Sequence, residues 1–277
     1  MKLDGKIALV TGGSRGIGKA IAKEFAQNGA SIVISGKDKT KLDQTAKELG
    51  AFAIQADMRK ESDVQDLINK TVEKFGKLDI LVNNAGVFPK IKLLHEISDS
   101  EWRDVLDVNL NGPFYATKYS IPHLQKKGGA IINIASSAGL KAYENFNADA
   151  YSASKAAAEH FVQAYGNTYK LPYIIINSSN NYGPWQHSEK LIPLTIKRIL
   201  KGDKIPVYGK GDQIRDWIYV EDTCRAIHTI LTQGTVGERY CIGGDNEVKN
   251  LDLVNMIMTK MGSPVLVEFV TDRLGHD

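Results

Sequence analysis

The chain has 277 residues, 43% of them hydrophobic and 24% charged, with 35 basic against 32 acidic side chains and a net charge of +3. These are ordinary values for a soluble globular protein, enough for one large α/β domain or a main domain with a smaller lobe. The charges form no Lys/Arg block, which speaks against a nucleic-acid surface, and no apolar run approaches the ~20 residues of a membrane span. Two cysteines, Cys224 and Cys241, and six scattered histidines suggest neither a disulfide framework nor a metal site. Met1-Lys2-Leu3-Asp4-Gly5 carries no leader pattern, so a cytoplasmic protein is expected.

Short apolar runs alternate with segments of helical period. The pattern predicts strands at 7–11, 31–35, 52–55, 80–83, 130–136 and 173–177. Helices are expected at 17–28, 39–50, 62–75 and 151–169, with a longer helical stretch at 99–126 interrupted near Gly112-Pro113. Strand and helix in alternation mean a doubly wound parallel sheet, a Rossmann-like α/β fold. The continuous apolar strands, such as Ile-Ala-Leu-Val at 7–10, suit positions buried on both faces. The stretch 178–184 reads as loop by composition. Helical pieces at 192–201, 221–233 and 250–261, with short strands at 217–220, 239–242 and 265–270, follow it. The expected division is a dinucleotide-binding domain over 1–178 and an extension over 179–277 that partly completes the sheet and partly forms a small substrate lobe.

Thr11-Gly12-Gly13-Ser14-Arg15-Gly16-Ile17-Gly18 leaves the first strand and opens the first helix. A tight strand-to-helix turn needs residues without a Cβ clash, and a helix N-terminus offers unpaired N–H groups to a pyrophosphate. The second strand ends at Gly36-Lys37, where an acidic residue would bond the ribose of NAD. Lys37 and Arg15 favour the 2′-phosphate of NADP, while Asp38 keeps NAD open. Asp57 and Met58 follow the third strand and Asn83-Asn84-Ala85-Gly86 the fourth, at carboxyl ends where such sheets bind ligands. Asp57 is equally readable as an adenine contact or a helix cap.

Tyr151 and Lys155, in Tyr151-Ser152-Ala153-Ser154-Lys155, share one helix face a turn apart. A fixed ammonium beside a phenol favours the phenolate and makes the pair a general acid/base. Taken alone, the spacing is also that of a surface Tyr and Lys on an amphipathic helix.

Together the glycine turn, Asn83-Asn84-Ala85-Gly86, Asn109, the Ser136 region and Tyr151/Lys155 resemble the short-chain dehydrogenase/reductase superfamily, in its order. Residues 1–150 look like its single-domain reductases, of the β-ketoacyl carrier-protein reductase type. The resemblance implies that Tyr151 moves the proton and that Lys155 assists it and holds the nicotinamide ribose. It implies that Ser136 polarises the substrate oxygen and Asn109 holds a relay water. Gly12, Ser14, Arg15, Gly16, Ile17, Gly18, Lys37, Asp57, Met58, Asn84, Ala85 and Gly86 would line the cofactor. Either the Ser136 or the Ser137 hydroxyl could serve; the family register favours Ser136, first past the strand, and its separation from Tyr151 requires the loop between them to bulge.

From Tyr151 on the resemblance changes branch. Asn177-Ser178-Ser179-Asn180-Asn181-Tyr182-Gly183-Pro184, the run 208–217 and 272–277 look like the dTDP-glucose 4,6-dehydratases. The chain thus reads as a chimera of two branches. By that likeness Asn180, Arg215 and Asn250 contact a diphosphate, Tyr208 lies near the base, and Arg273 and His276 approach phosphate or sugar. A salt bridge to Asp212 or Asp216 is the competing role for Arg215. Those dehydratases carry Thr-Asp-Glu where this chain has Ser136-Ser137-Ala138, which implies hydride chemistry without dehydration, and they continue past the point where this sequence stops, which implies a shortened substrate lobe.

Three functions follow. The first is an NAD(P)-dependent oxidoreductase of a carbonyl/alcohol pair, with NADP preferred over NAD and a nucleotide-sugar among the substrates. The second is a 4-epimerase-like enzyme holding NAD tightly, and the third a dinucleotide-binding chain without turnover. The family implies a homodimer through the helices at 99–126 and 151–169.

Overall fold

The computed structural model describes residues 2–89, 92–124, 129–140, 148–264 and 266–271. Strand β1 (Ile7–Val10) is buried along its whole length and lies mid-sheet, paired in parallel with β2 (Ser31–Gly36) and β4 (Ile80–Asn83). With β3 (Phe52–Gln55), β5 (Ala130–Ile134), β6 (Tyr173–Ser178) and β10 (Arg239–Ile242) they make a seven-stranded parallel sheet of order β10-β6-β5-β4-β1-β2-β3. Alternation along each strand feeds two cores. Ala8 and Val10 join Phe25, Ile34, Ile132 and Ile227 on one face; Ile7 and Leu9 join Leu67, Leu81, Ile131 and Val162 on the other.

Helices α1 (Gly16–Gln27), α2 (Lys39–Leu49) and α8 (Val220–Gln233) cover the first face, and α3 (Glu61–Phe75), α5 (Gly112–Leu124) and α6 (Asp149–Tyr169) the second. Asp38 caps α2 by accepting from the Lys41 N–H at 3.1 Å, and Gly50 ends it at φ +63°. Helix α4 (Asp99–Leu106) starts from a reciprocal Ser98/Glu101 box.

Several expectations shift in detail. The interruption in the 99–126 stretch is a π turn at Asp107–Asn111, just ahead of Gly112-Pro113; residues 125 and 126 lie outside the described residues. The strand expected over 130–136 ends at Ile134, because the Ser136 hydroxyl accepts from the Ala138 N–H at 3.2 Å and turns the chain into a 3-10 turn, Ser137–Gly139. Ser136 is therefore the second residue past the strand. The bulge expected between Leu140 and Ala150 falls mostly outside the described residues.

The stretch read as loop contains β7 (Asn180–Tyr182), which pairs in parallel with β9 (Ile214–Tyr219); β11 (Glu247–Lys249) completes that three-stranded sheet. Strands β8 (Ile205–Tyr208) and β12 (Val267–Val270) form a second small sheet beside α7 (Leu191–Lys201) and α9 (Asn250–Lys260). Ile205, Val207 and Val254 are the buried centre of this lobe, and Leu200, Leu266 and Phe269 stand exposed on it. Among the described residues no helix is long and apolar enough to cross a membrane.

Candidate active site

The turn after β1 and the loop after β4 interlock. The Thr11 hydroxyl accepts from the N–H groups of Asn84 (3.0 Å) and Ala85 (3.1 Å), and the Asn84 amide donates to the Thr11 carbonyl at 2.8 Å. A Cβ at Gly12, whose φ is +65°, would lie 2.9 Å from Ala85 Cα; one at Gly18 would lie 2.4 Å from Asn84 Nδ2. Only glycine lets these two segments nest. Helix α1 then begins with Arg15 as an N-cap that makes no side-chain capping bond. Its first-turn N–H groups and positive dipole end remain available to a diphosphate, and Gly16 adds no side chain above them. The residues thus fit a dinucleotide. Trp185, from the loop before α7, lies against this helix: its carbonyl is 3.9 Å from the Cβ position of Gly16, and its ring is 4.4 Å from Lys19 Nζ.

Ser14 and Gly36 meet at the end of β2, where a Cβ on Gly36 would sit 3.0 Å from the Ser14 hydroxyl. Lys37 is exposed, with Nζ 3.8 Å from Asp57 Oδ2. The carboxylate of Asp38 is committed to the cap of α2 and to Lys41 at 3.0 Å, which hold its carboxyl below the ordinary value. Asp57 is forked by Arg59, whose Nε donates to both its oxygens at 2.9 and 3.1 Å and whose Nη1 donates to Asp104 at 2.6 Å. That guanidinium holds Asp57 below the usual carboxylate range. The sequence reading did not foresee Arg59, which shares the oxygens expected to meet an adenine. The Met58 side chain is buried against Gly112 in the core, so its backbone is what it can offer a cofactor.

Asn109, Tyr151 and Lys155 converge from three elements. Asn109 is 1% exposed on the π turn; its oxygen accepts from Val87 N at 2.8 Å, and its nitrogen donates to Val87 O at 2.9 Å and Ser154 Oγ at 3.2 Å. Both side-chain protons and one lone pair of its oxygen thereby join the β4 loop to α6, and the second lone pair is what the side chain can offer a relay water. Lys155 is buried and donates to the Ile134 carbonyl at 3.0 Å, which leaves two of its three protons for other partners. A Cβ at Gly86 would lie 3.4 Å from Asn109 Oδ1 and 3.7 Å from Lys155 Nζ, so the Asn84-Ala85-Gly86 loop borders both groups. Tyr151 is half-buried on the same face of α6, its ring centre 5.9 Å from Lys155 Nζ and edge-on to Phe88 at 4.9 Å. The Ser136 carbonyl accepts from Asn177 Nδ2 at 3.0 Å. Phe88 and Asn177 are contributors that sequence reasoning missed; an aromatic two residues past Gly86 was the available signal for the first.

The expected substrate residues divide. Asn180 donates to the Asp216 carbonyl at 3.3 Å, Arg215 sits opposite Val248 in the β9/β11 ladder, and Asn250 opens α9 with its amide 3.4 Å from Gln213 Oε1. These three share one small sheet and its flank. Arg215 donates to the Ile214 carbonyl at 2.9 Å, and the carboxylate of Asp216 instead accepts from Gly244 N and Asn246 N. Tyr208 ends β8 in the other small sheet. Arg273 and His276 lie outside the described residues. A cavity of about 390 Å³ opens instead beside Phe88, Val87, Ile97, Val105 and Ala150. Lys190, at the start of α7, holds its ammonium 5.1 Å from the Phe88 ring and so links the lobe to that wall.

A model of the short chain dehydrogenase family matches residues 6–181, and one of the NAD dependent epimerase/dehydratase family matches 132–243. The two overlap over β5, α6 and β6. dTDP-glucose 4,6-dehydratase of Salmonella typhimurium is 53% identical over 135 residues, 46% of this chain and 37% of that protein, so the chain spans well under half of that relative's length. Among solved structures, dTDP-glucose 4,6-dehydratase of Bacillus anthracis in complex with NAD superposes with a TM-score of 0.75 at 28% identity, covering 97% of this chain and 85% of that one. A short chain dehydrogenase of Burkholderia cenocepacia in complex with NADP gives 0.73 at 26%, covering 88% and 98%. With its parallel sheet, nested glycine turn and Tyr151/Lys155 face, the chain belongs to the short chain dehydrogenase family.

Proposed function

We propose that the chain transfers a hydride between a nicotinamide dinucleotide and a carbonyl/alcohol pair. The observation that carries the reading is the convergence of Tyr151, Lys155 and Asn109 on the Gly86 loop, beside a glycine turn nested for a diphosphate. When bound, the nicotinamide supplies the hydride donor or acceptor. Tyr151 moves the proton at the substrate oxygen, Ser136 donates a hydrogen bond to that oxygen, and the free protons of Lys155 bind the ribose and the phenol oxygen. Asn109 fixes the loop and helix that carry them. Lys37 and Arg15, with Asp38 spent on its cap, favour NADP over NAD.

The substrate we propose is a nucleotide-sugar, held by Asn180, Arg215 and Asn250, because residues 132–243 match the epimerase/dehydratase model. Ser137 and Ala138 bring no acid/base pair, so the reading has no dehydration step. The same match favours a second reading, a 4-epimerase-like enzyme, and NAD that stays bound through purification would select it. The chain would divide near residue 178, and it would pair as a homodimer through the aromatic row Phe114, Phe161, Tyr165 and Tyr169 on α5 and α6.

NADPH fluorescence on mixing, then its oxidation with a panel of ketones and nucleotide-sugars, tests the proposal. Tyr151→Phe should keep the fluorescence change and lose turnover by about 10²–10⁴. No change with either dinucleotide would overturn it.

A further inference from the structure

We infer that Glu159 and Arg239 are a positioning pair for Ser136, so that an edge strand of the C-terminal half fixes a hydroxyl at the reaction centre. The inference rests on the proposed role of Ser136.

Glu159 lies on α6 one turn beyond Lys155 and two beyond Tyr151, on the same face. It is 1% exposed, and a carboxylate in that position must be matched by donors. It is matched twice. Oε2 accepts from Arg239 Nη2 at 2.6 Å, and Oε1 accepts from Asn177 Nδ2 at 3.0 Å. Arg239 opens β10 and pairs in register with Ile175, two residues before Asn177 on β6.

The second proton of Asn177 goes to the Ser136 carbonyl, and its own oxygen is buried without a partner among the described residues. The amide can therefore point only one way. Turned over, it would set oxygen against both the Glu159 carboxylate and the Ser136 carbonyl. The turn after Ser136 rests directly on α6: a Cβ at Gly139 would lie 3.1 Å from Glu159 Oε1 and from Ala156 N. The sequence of contacts is Arg239 to Glu159, Glu159 to Asn177, Asn177 to Ser136.

Polarity rather than shape carries this chain of contacts. Glu159→Gln keeps the volume but has one oxygen. Its NH2 must face the donor of either Arg239 or Asn177, so one link breaks whichever way it turns. Arg239→Lys keeps the charge, and Arg239→Gln removes it.

Three measurements on the intact chain decide the matter: thermal melts, amide exchange at Ala138 and Gly139, which donate to the Ser136 oxygens, and kcat against KM for NADPH oxidation. In folded Glu159→Gln, exchange at those two amides should quicken while that in β1 and β4 holds. Its kcat should fall about 10- to 100-fold with KM and NADPH affinity unchanged. Arg239→Lys should resemble the parent and Arg239→Gln should resemble Glu159→Gln. The inference is overturned by unchanged exchange at Ala138 and Gly139, or by kcat losses equal in both Arg239 variants that merely follow their melting temperatures. Should Glu159→Gln fail to fold, the Arg239 pair gives the answer. Should the parent oxidise nothing, the hydride-transfer reading falls, and exchange alone decides whether the pair holds Ser136.

Discussion

Asp57 is 14% exposed, and Arg59 is forked across both of its oxygens. Because the folded pKa lies below the unfolded value, this pairing stabilises the fold at neutral pH, where both states are ionised. The contribution begins to fade below about pH 4 and is lost as pH falls through the depressed folded value. Asp57→Asn should cost about 1 kcal/mol at pH 7, allowing for solvent at Arg59, and should flatten the acid side of a melting-temperature profile. An acid limb as steep as the parent's would exclude the assignment. At this scale the sequence showed chemical types but not partners. Asp57 was visible as a carboxylate at a strand end. That Arg59 would fork it depends on a two-residue reach and on Asp104 arriving from α4. Asn109 was visible too, but its commitment to Val87 and Ser154 arises only when the π turn faces α6.

Among the elements, the β1–α1 turn is packed too tightly to admit a side chain at Gly12 or Gly18. Gly18→Ala puts a methyl 2.4 Å from Asn84 Nδ2 and 2.5 Å from the Gly12 carbonyl, so the Asn84 loop must move away. The expected result is a loss of about 1–3 kcal/mol and of the NADPH fluorescence change together, read by melting and by titration. Retained binding at parental affinity would show that the nesting is not needed. Such elements were legible because local signals agree: Ile-Ala-Leu-Val is apolar with β-branched residues at both ends, and glycines follow one residue later. The Asn180–Tyr182 strand was not legible. Asn-Asn-Tyr has turn composition, and its partners Trp217–Tyr219 lie thirty-seven positions on. Ile205–Tyr208 was hidden in a similar way, since Pro206 argues against a ladder and the strand survives in a two-stranded sheet.

Across the molecule, burial is uneven. The two faces of the seven-stranded sheet hold extensive cores, whereas the lobe of α7, β8, α9 and β12 centres on Ile205, Val207 and Val254. Amide exchange in that lobe should run ahead of exchange in β1, β4 and β5, with opening at lower free energy than global unfolding. Equal protection throughout would refute this. The change of texture after Asn177 coincides with the end of β6 and the start of the small sheets. That part of the extension completes the sheet was expected; that β10 takes the edge beside β6 was not, because long-range pairing leaves no local mark. Trp185 stands at this meeting of lobe and sheet, its backbone left-handed at φ +66° and Lys19 and Lys23 close to its indole. Light emitted by that indole is tuned by the electric field of its two cations. An anion settling at the neighbouring helix tip alters that field, so the Trp185 share of the ultraviolet emission, beside the shares of Trp102 and Trp217, serves as a dye-free gauge of occupancy.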